Sequence, residues 1–168
     1  MNASAWITRF GASVPDGGAV LDVACGGGRH TRWFRARGHR VIALDRDLSG
    51  VGDLAGDPGV ELVQFDLEAG VPLPVGSGSC AAVVVTNYLW RPLFDEFVGA
   101  LAPGGWLIYE TFAEGNERYG RPTNPDYLLR RGELLEVARQ HGLEVVAYED
   151  VLVDEPRPVA VQHIAATR

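Results

Sequence analysis

The run Val20-Leu21-Asp22-Val23-Ala24-Cys25-Gly26-Gly27-Gly28-Arg29-His30 constrains this chain more than any other stretch. Its apolar start reads as a buried strand, and an acid inside such a strand is costly unless a donor lies beside it. Asp22 therefore predicts a hydrogen-bond partner in the fold. Three consecutive glycines let the backbone turn tightly and admit a ligand close to the main chain. The helix that they open directs unpaired N–H groups at that ligand. Strand, acid, glycine turn and helix together predict a nucleotide site.

Two further apolar runs close in the same way: residues 40–45 end on Asp45, and residues 60–65 are followed by Asp66. Residues 80–86 are apolar up to their last residue, as suits a central strand covered on both faces. Further strands are expected at 106–111, at 143–148 or slightly beyond, and at 159–165. The last two are joined by D-E-P-R-P, residues 154–158. A parallel crossover needs about a dozen residues, so that pair must be antiparallel.

Helices are expected over 4–10 with Ser4 as N-cap, after Gly28, from Pro92 to about 101, and over 132–141 with Leu134, Leu135 and Ala138 inward. Arg29, Arg32, Arg35 and Arg37 are expected mostly to face water, and residues 48–56 form a weak helix at best. Residues 112–130, dense in Gly, Pro, Asn and aromatics, form the longest irregular stretch. Loops of that length are usually lids or disordered segments. The expected fold class is α/β: a doubly wound, seven-stranded, mostly parallel sheet with an antiparallel C-terminal hairpin and helices on both faces, one domain over 1–168.

Composition excludes several chemistries. The chain has no lysine, so all fifteen basic residues are arginine. That removes Schiff-base catalysis, the lysine of phosphate-binding loops and the Tyr/Lys pair of short-chain dehydrogenases. Two cysteines, Cys25 and Cys80, make neither a disulfide framework nor a zinc set, and no metal is expected. A net charge of −7 argues against a large phosphate-backbone footprint. No apolar run reaches the length of a membrane span and no signal-peptide pattern opens the chain, so a cytoplasmic protein is expected.

In open parallel sheets the ligand crevice lies beyond the carboxyl ends of the strands. Asp45, 17 residues past Gly28, is placed to accept from both ribose hydroxyls. Asp66 is placed to accept from an exocyclic adenine amine, and Asp22, near the turn, suits an ammonium or a bridging water. A dinucleotide pyrophosphate would want G-x-G-x-x-G and no carboxylate nearby, whereas Thr31 stands at the third glycine position here. A ligand with an ammonium and a sulfonium, and no phosphate, suits these residues better.

The stretch V-L-D-V-A-C-G-G-G-R, Asp45, the F-D-L around Asp66, the apolar fourth strand and the terminal hairpin resemble the class I S-adenosylmethionine-dependent methyltransferases over nearly the whole chain. The resemblance implies strand order 3-2-1-4-5-7-6 with strand 7 antiparallel. It also implies S-adenosylmethionine as cofactor and in-line methyl transfer to a small-molecule acceptor. By the same resemblance Asp22, Ala24, Gly26 and Gly28 would hold the methionine end, Asp45 the ribose, Asp66 with Leu67 the adenine, and Asn87 would lie beside the reacting methyl. Ala24 replaces the usual first glycine, which a negative φ would allow. The fourth strand ends in T-N-Y-L without the prolines of the N-P-P-Y signature, so base methylation gains no support. Residues 116–129 resemble small bacterial methyltransferases of the tellurite-resistance type.

Where the acceptor is protonated a base is needed, and Glu110, Tyr88 and His30 are the nearest candidates by position. Trp90 with Tyr88 would wall the acceptor site, and Arg118, Tyr119 and Arg121 are expected as lid residues. His163 is expected to be structural. Two rivals remain. One is a non-catalytic S-adenosylmethionine-binding regulator. The other is a nicotinamide-dependent oxidoreductase, disfavoured by Asp22, by Thr31, by the missing lysine and by the absence of chain for a substrate domain.

Overall fold

Successive side chains of a strand point to opposite faces, and the apolar runs of this chain fill both. In β1 (Ala19–Val23), Leu21 and Val23 enter one apolar layer while Val20 enters the other. In β4 (Cys80–Thr86), Val83 and Val85 join the first layer, and Ala82 and Val84 the second. Phe97 and Val98 of α3 (Phe94–Ala100), with Leu134 and Ala138 of α4 (Glu133–Gln140), cover the first. Trp6, Ile7 and Phe10 of α1 (Ala5–Gly11), with Phe34 of α2 (Arg29–Arg35), cover the second. A sheet covered on both faces needs no polar alternation, which is why these runs show none.

The structure, a computed structural model, describes residues 2–154 and 157–168. The remaining strands are β2 (Arg40–Asp45), β3 (Val60–Gln64), β5 (Leu101–Phe112), β6 (Glu144–Val153) and β7 (Val159–Thr167). Their order is β3-β2-β1-β4-β5-β7-β6, with β7 antiparallel to both of its neighbours and the other pairings parallel. This is the sheet expected from sequence. The order reverses between β1 and β4, so the crevice opens over their carboxyl ends. No helix among the described residues is long and apolar enough to cross a membrane.

Several boundaries differ from expectation. β5 begins at Leu101, because Pro103-Gly104-Gly105 bulges the strand instead of preceding it: the register against β4 shifts between Cys80 and Ala82, and Gly104 takes φ +75°. The helix expected from Pro92 is a 3-10 turn at Arg91–Leu93 followed by α3. Residues Ser49–Leu54 form a 3-10 turn. In α4, Leu135 is exposed and Val137 is buried instead; a helix turns about 100° per residue, which sets 135 away from the 134, 137, 138 stripe. β6 and β7 run on to Val153 and Thr167, and of the linker between them residues 155 and 156 lie outside the described residues.

The stretch 112–130 is more ordered than its composition suggests. It carries 3-10 turns at Asn116–Arg118 and Pro125–Tyr127, and a bridge joins Ala113 to Leu129. Asn116, Leu128 and Leu129 are buried. Arg91 staples the arc from below: Nη1 donates to the Asp126 carbonyl (2.8 Å), Nη2 to the Leu128 carbonyl (2.8 Å), and the guanidinium grips Glu133 (2.6 Å). Both carbonyls that flank Tyr127 are thereby held by one side chain.

Candidate active site

The glycine turn is locked from behind. Asp22 is buried, and its partner is Thr31 of α2, whose Oγ1 donates to Oδ2 at 2.6 Å. Thr31, which breaks the dinucleotide glycine pattern, is therefore the donor that Asp22 required. Burial raises the Asp22 carboxyl from 3.8 to about 6, while the Thr31 hydroxyl and amide pull it down. Gly28 takes φ +69°, and a Cβ there would collide with Val51, so this position requires glycine twice over. Ala24 takes φ +52°. The negative φ expected for it is thus corrected: the turn keeps the left-handed bend that a glycine would take freely, and alanine adopts it at a steric cost.

Two cavities open over the strand ends. The larger, about 540 Å³, is walled by Asp45, Phe65, Asp66 and Leu67 on one side and by Tyr88, Leu89, Thr111, Phe112, Pro122 and Tyr127 on the other. The smaller, about 460 Å³, is walled by Cys25, Gly26, Gly27, Arg29, His30, Arg32 and Thr86. Ala24 and Asn87 line both, so the cavities meet at these two residues. Both residues have positive φ, +52° and +54°. Asparagine tolerates that region, and its main-chain N–H donates to the Glu110 carbonyl (3.0 Å).

Asp45 organises the floor. Its Oδ2 accepts from the Gly26 N–H (2.8 Å) and its Oδ1 from the Asp47 N–H (3.0 Å). A turn amide is thus spent on a carboxylate rather than offered to a phosphate. Asp66 is exposed and accepts from the Glu68 N–H (3.0 Å). Cys25 is buried beside this floor, and burial with the nearby Asp22 and Asp45 pushes its thiol up to about 12, so it stays a neutral thiol.

The fold does not bring all expected residues to the cleft. Asp22 lines neither cavity and acts through Thr31. Glu110 shares the strand face of Ile108, under α1: its Oε2 accepts from Ser4 Oγ (2.7 Å) and lies 3.7 Å from His163 Nε2. Strand alternation gives the cleft Thr111 in its place. His30 is buried, with Nε2 accepting from the Ser4 N–H (3.2 Å) and Nδ1 3.4 Å from Thr86 Oγ1. Burial and the neighbouring Arg29 lower it to about 4, so it is neutral at pH 7. Tyr88 lines the larger cavity with its hydroxyl 3.5 Å from Glu68 Oε1; burial and the Glu68 and Asp66 carboxylates push its phenol up, so it holds its proton and donates. Trp90 packs against the apolar core. Arg118, Tyr119 and Arg121 are exposed outside both walls.

Sequence reasoning passed over Phe65, Arg46, Glu68, Leu89, Thr111, Phe112, Pro122 and Tyr127, all in the larger cavity. The first four adjoin expected residues in sequence; Pro122 and Tyr127 lie in the 112–130 stretch expected as a lid, though nothing local singled them out within it. Arg29 and Arg32, expected mostly to face water, line the smaller cavity where it opens.

A protein-family model described as a methyltransferase domain matches residues 21–109, more than half of the 168-residue chain. The malonyl-[acyl-carrier protein] O-methyltransferase of Yersinia pestis is 37% identical over 106 residues, 60% of this chain; the chain spans 39% of that relative's length. Among solved structures, an S-adenosylmethionine-dependent methyltransferase from Mesorhizobium loti superimposes with TM-score 0.75 at 20% identity, over 99% of both chains. The 1,6-didemethyltoxoflavin-N1-methyltransferase of Burkholderia thailandensis, solved with its substrate and S-adenosylhomocysteine, gives 0.74 at 19% identity over 97% of this chain and 76% of its own. None of these names is of the tellurite-resistance type, so that likeness rests on residues 116–129 alone. With strand order, glycine turn and cleft in agreement, the chain belongs to the methyltransferase-domain family and carries the fold of its S-adenosylmethionine-dependent members.

Proposed function

We propose that the domain over residues 1–168 transfers a methyl group from S-adenosylmethionine to a small-molecule acceptor. The observation that carries this reading is the pair of cavities meeting at Ala24 and Asn87, one with a carboxylate at the end of β2, the other on the glycine turn. The residues fit the cofactor. Asp45 faces the larger cavity where ribose hydroxyls would donate, and Phe65, Leu67 and Leu89 give an adenine apolar faces beside the Asp66 carboxylate. A Cβ on Gly26 or Gly27 would meet no protein atom within 4 Å, so the turn leaves room for a methionine chain. Arg29 in the same cavity supplies a cation for its carboxylate.

When bound, S-adenosylmethionine supplies a methyl carbon on a sulfonium that departs as a neutral thioether. The chain's own part is placement and exclusion of water, which in well-aligned cases is worth up to about 7–11 kcal/mol. Asn87 and Ala24, at the junction, bring the two lobes into line. Thr111 and Phe112 close the acceptor side. Neither Glu110, tied to Ser4, nor neutral buried His30 faces the larger cavity, so neither serves as a base there. The net charge of −7 favours a small molecule over nucleic acid. Calorimetric titration with S-adenosylhomocysteine tests the reading: saturable micromolar binding is expected, and NAD binding in its absence would overturn it.

A further inference from the structure

The acceptor lobe has a chemistry of its own. Tyr88, Phe112 and Tyr127 present three aromatic rings to it, Pro122 adds a fourth flat apolar surface, and Glu68 stands 3.5 Å from the Tyr88 hydroxyl. The Asp66 carboxylate adds to the negative potential at the same hydroxyl. Among the described residues lining this cavity the one cation is Arg46, at the end of β2. Three strand spacings, roughly 14 Å, separate β2 from β5 and its Phe112, whereas Asp66 and Glu68 follow β3, the neighbour of β2. Arg91, beneath the lobe, is occupied by Glu133 and by two main-chain carbonyls, and Arg118 and Arg121 are exposed outside the walls.

We propose that the acceptor is a flat aromatic amine, its ring lying among Tyr88, Phe112 and Tyr127 and its nitrogen facing Glu68. This rests on the methyltransferase reading above. Aromatic faces attract a developing cation, and a carboxylate beside them adds to that attraction. An anionic acceptor lying among these rings meets the Glu68 carboxylate, with Arg46 on the far, β2 side of the cavity, and like charges brought together cost several kcal/mol. Glu68 Oε2 accepts no hydrogen bond among the described residues, which leaves it for an acceptor N–H. The nitrogen lone pair makes the new N–C bond as the C–S pair withdraws onto sulfur, and the N–H proton passes to Glu68 or to water. Charge is conserved, moving from sulfur to nitrogen and then to the proton.

The experiment uses a matched pair with one skeleton, 5-aminoquinoline and quinoline-5-carboxylate, titrated calorimetrically into the full chain with and without saturating S-adenosylhomocysteine. The expected result is at least tenfold tighter binding of the amine to the loaded protein. Tyr127→Ala is expected to weaken the amine fivefold or more while S-adenosylhomocysteine affinity is unchanged, and Glu68→Gln to shrink the amine-to-carboxylate ratio at least threefold. Equal or tighter binding of the carboxylate, or binding of neither probe, overturns the proposal, as does an unaltered ratio in Glu68→Gln. The S-adenosylhomocysteine arm reports on the cofactor reading alone and the probe ratio on the acceptor alone, so failure of one is told from failure of the other.

Discussion

Over β1, β2 and β3 the cleft is built from backbone and strand ends: a glycine turn, Asp45 accepting two main-chain amides, and Phe65, Asp66 and Leu67 in consecutive positions. Over β4 and β5 it is built from side chains on an arc that other side chains hold, with Arg91 reaching 35 and 37 residues along the chain to the carbonyls on either side of Tyr127. The first lobe is local in sequence and rigid by backbone geometry. The second depends on pairings that only the folded chain assembles. A shared cofactor asks for the first kind of wall, and an acceptor that differs from protein to protein can be met by the second.

The comparison breaks most visibly at Asp45. Asp45→Ala removes the proposed ribose acceptor and frees the Gly26 amide. We expect S-adenosylhomocysteine affinity to fall more than 100-fold, about 3 kcal/mol, with an unchanged circular dichroism spectrum. Micromolar affinity in that variant would show that the backbone lobe holds the cofactor without its acid.

Asp22 tests the same lobe through pH. Its carboxyl is raised from 3.8 to about 6, so between those values the native chain keeps a proton that the unfolded chain has released. Native stability from this group is full below about pH 4 and is lost as pH rises through 6, on the order of 3 kcal/mol. Asp22→Asn does not ionise, so urea unfolding is expected to favour the variant progressively from pH 4 to pH 7 relative to the parent. A pH-independent difference would mean that Thr31 fully compensates the burial.

Arg91→Ala addresses the side-chain lobe. It strips Glu133, whose side chain is 5% exposed, of its bidentate partner and leaves two carbonyls without their donor. A loss of about 2 kcal/mol is expected, with faster hydrogen exchange across residues 113–129 and S-adenosylhomocysteine affinity retained. Loss of cofactor binding as well would show that the lobes are not independent. The smallest effect is expected at Ala24, where Ala24→Gly relieves the positive φ and raises stability by about 1 kcal/mol in the same unfolding assay; a decrease would mean that the turn depends on the alanine methyl.

The sequence by itself determined the strands, as apolar runs of strand length closing on an acid or a turn, and the antiparallel pair, which a five-residue linker forces, while the strand order followed from the family resemblance. It also determined that Asp22 needs a donor, since burial of a carboxylate without one is prohibitive. It did not say that the donor was Thr31, or that this pairing would draw Asp22 out of the cleft. Glu110 was legible as a strand-end acid, but its face was not: a one-residue difference in where β5 meets the crevice hands the wall to Thr111 and turns Glu110 to Ser4 and His163. Tyr127 belongs to the site because Arg91, distant in sequence and paired with Glu133, holds the carbonyls on either side of it, and the Pro122 carbonyl accepts from Asn116 Nδ2 (3.2 Å). Local pattern fixes which elements form and which ends carry chemistry, whereas the choice of side chains that face the acceptor is set by register and by long-range pairs, and only the tertiary structure decides those.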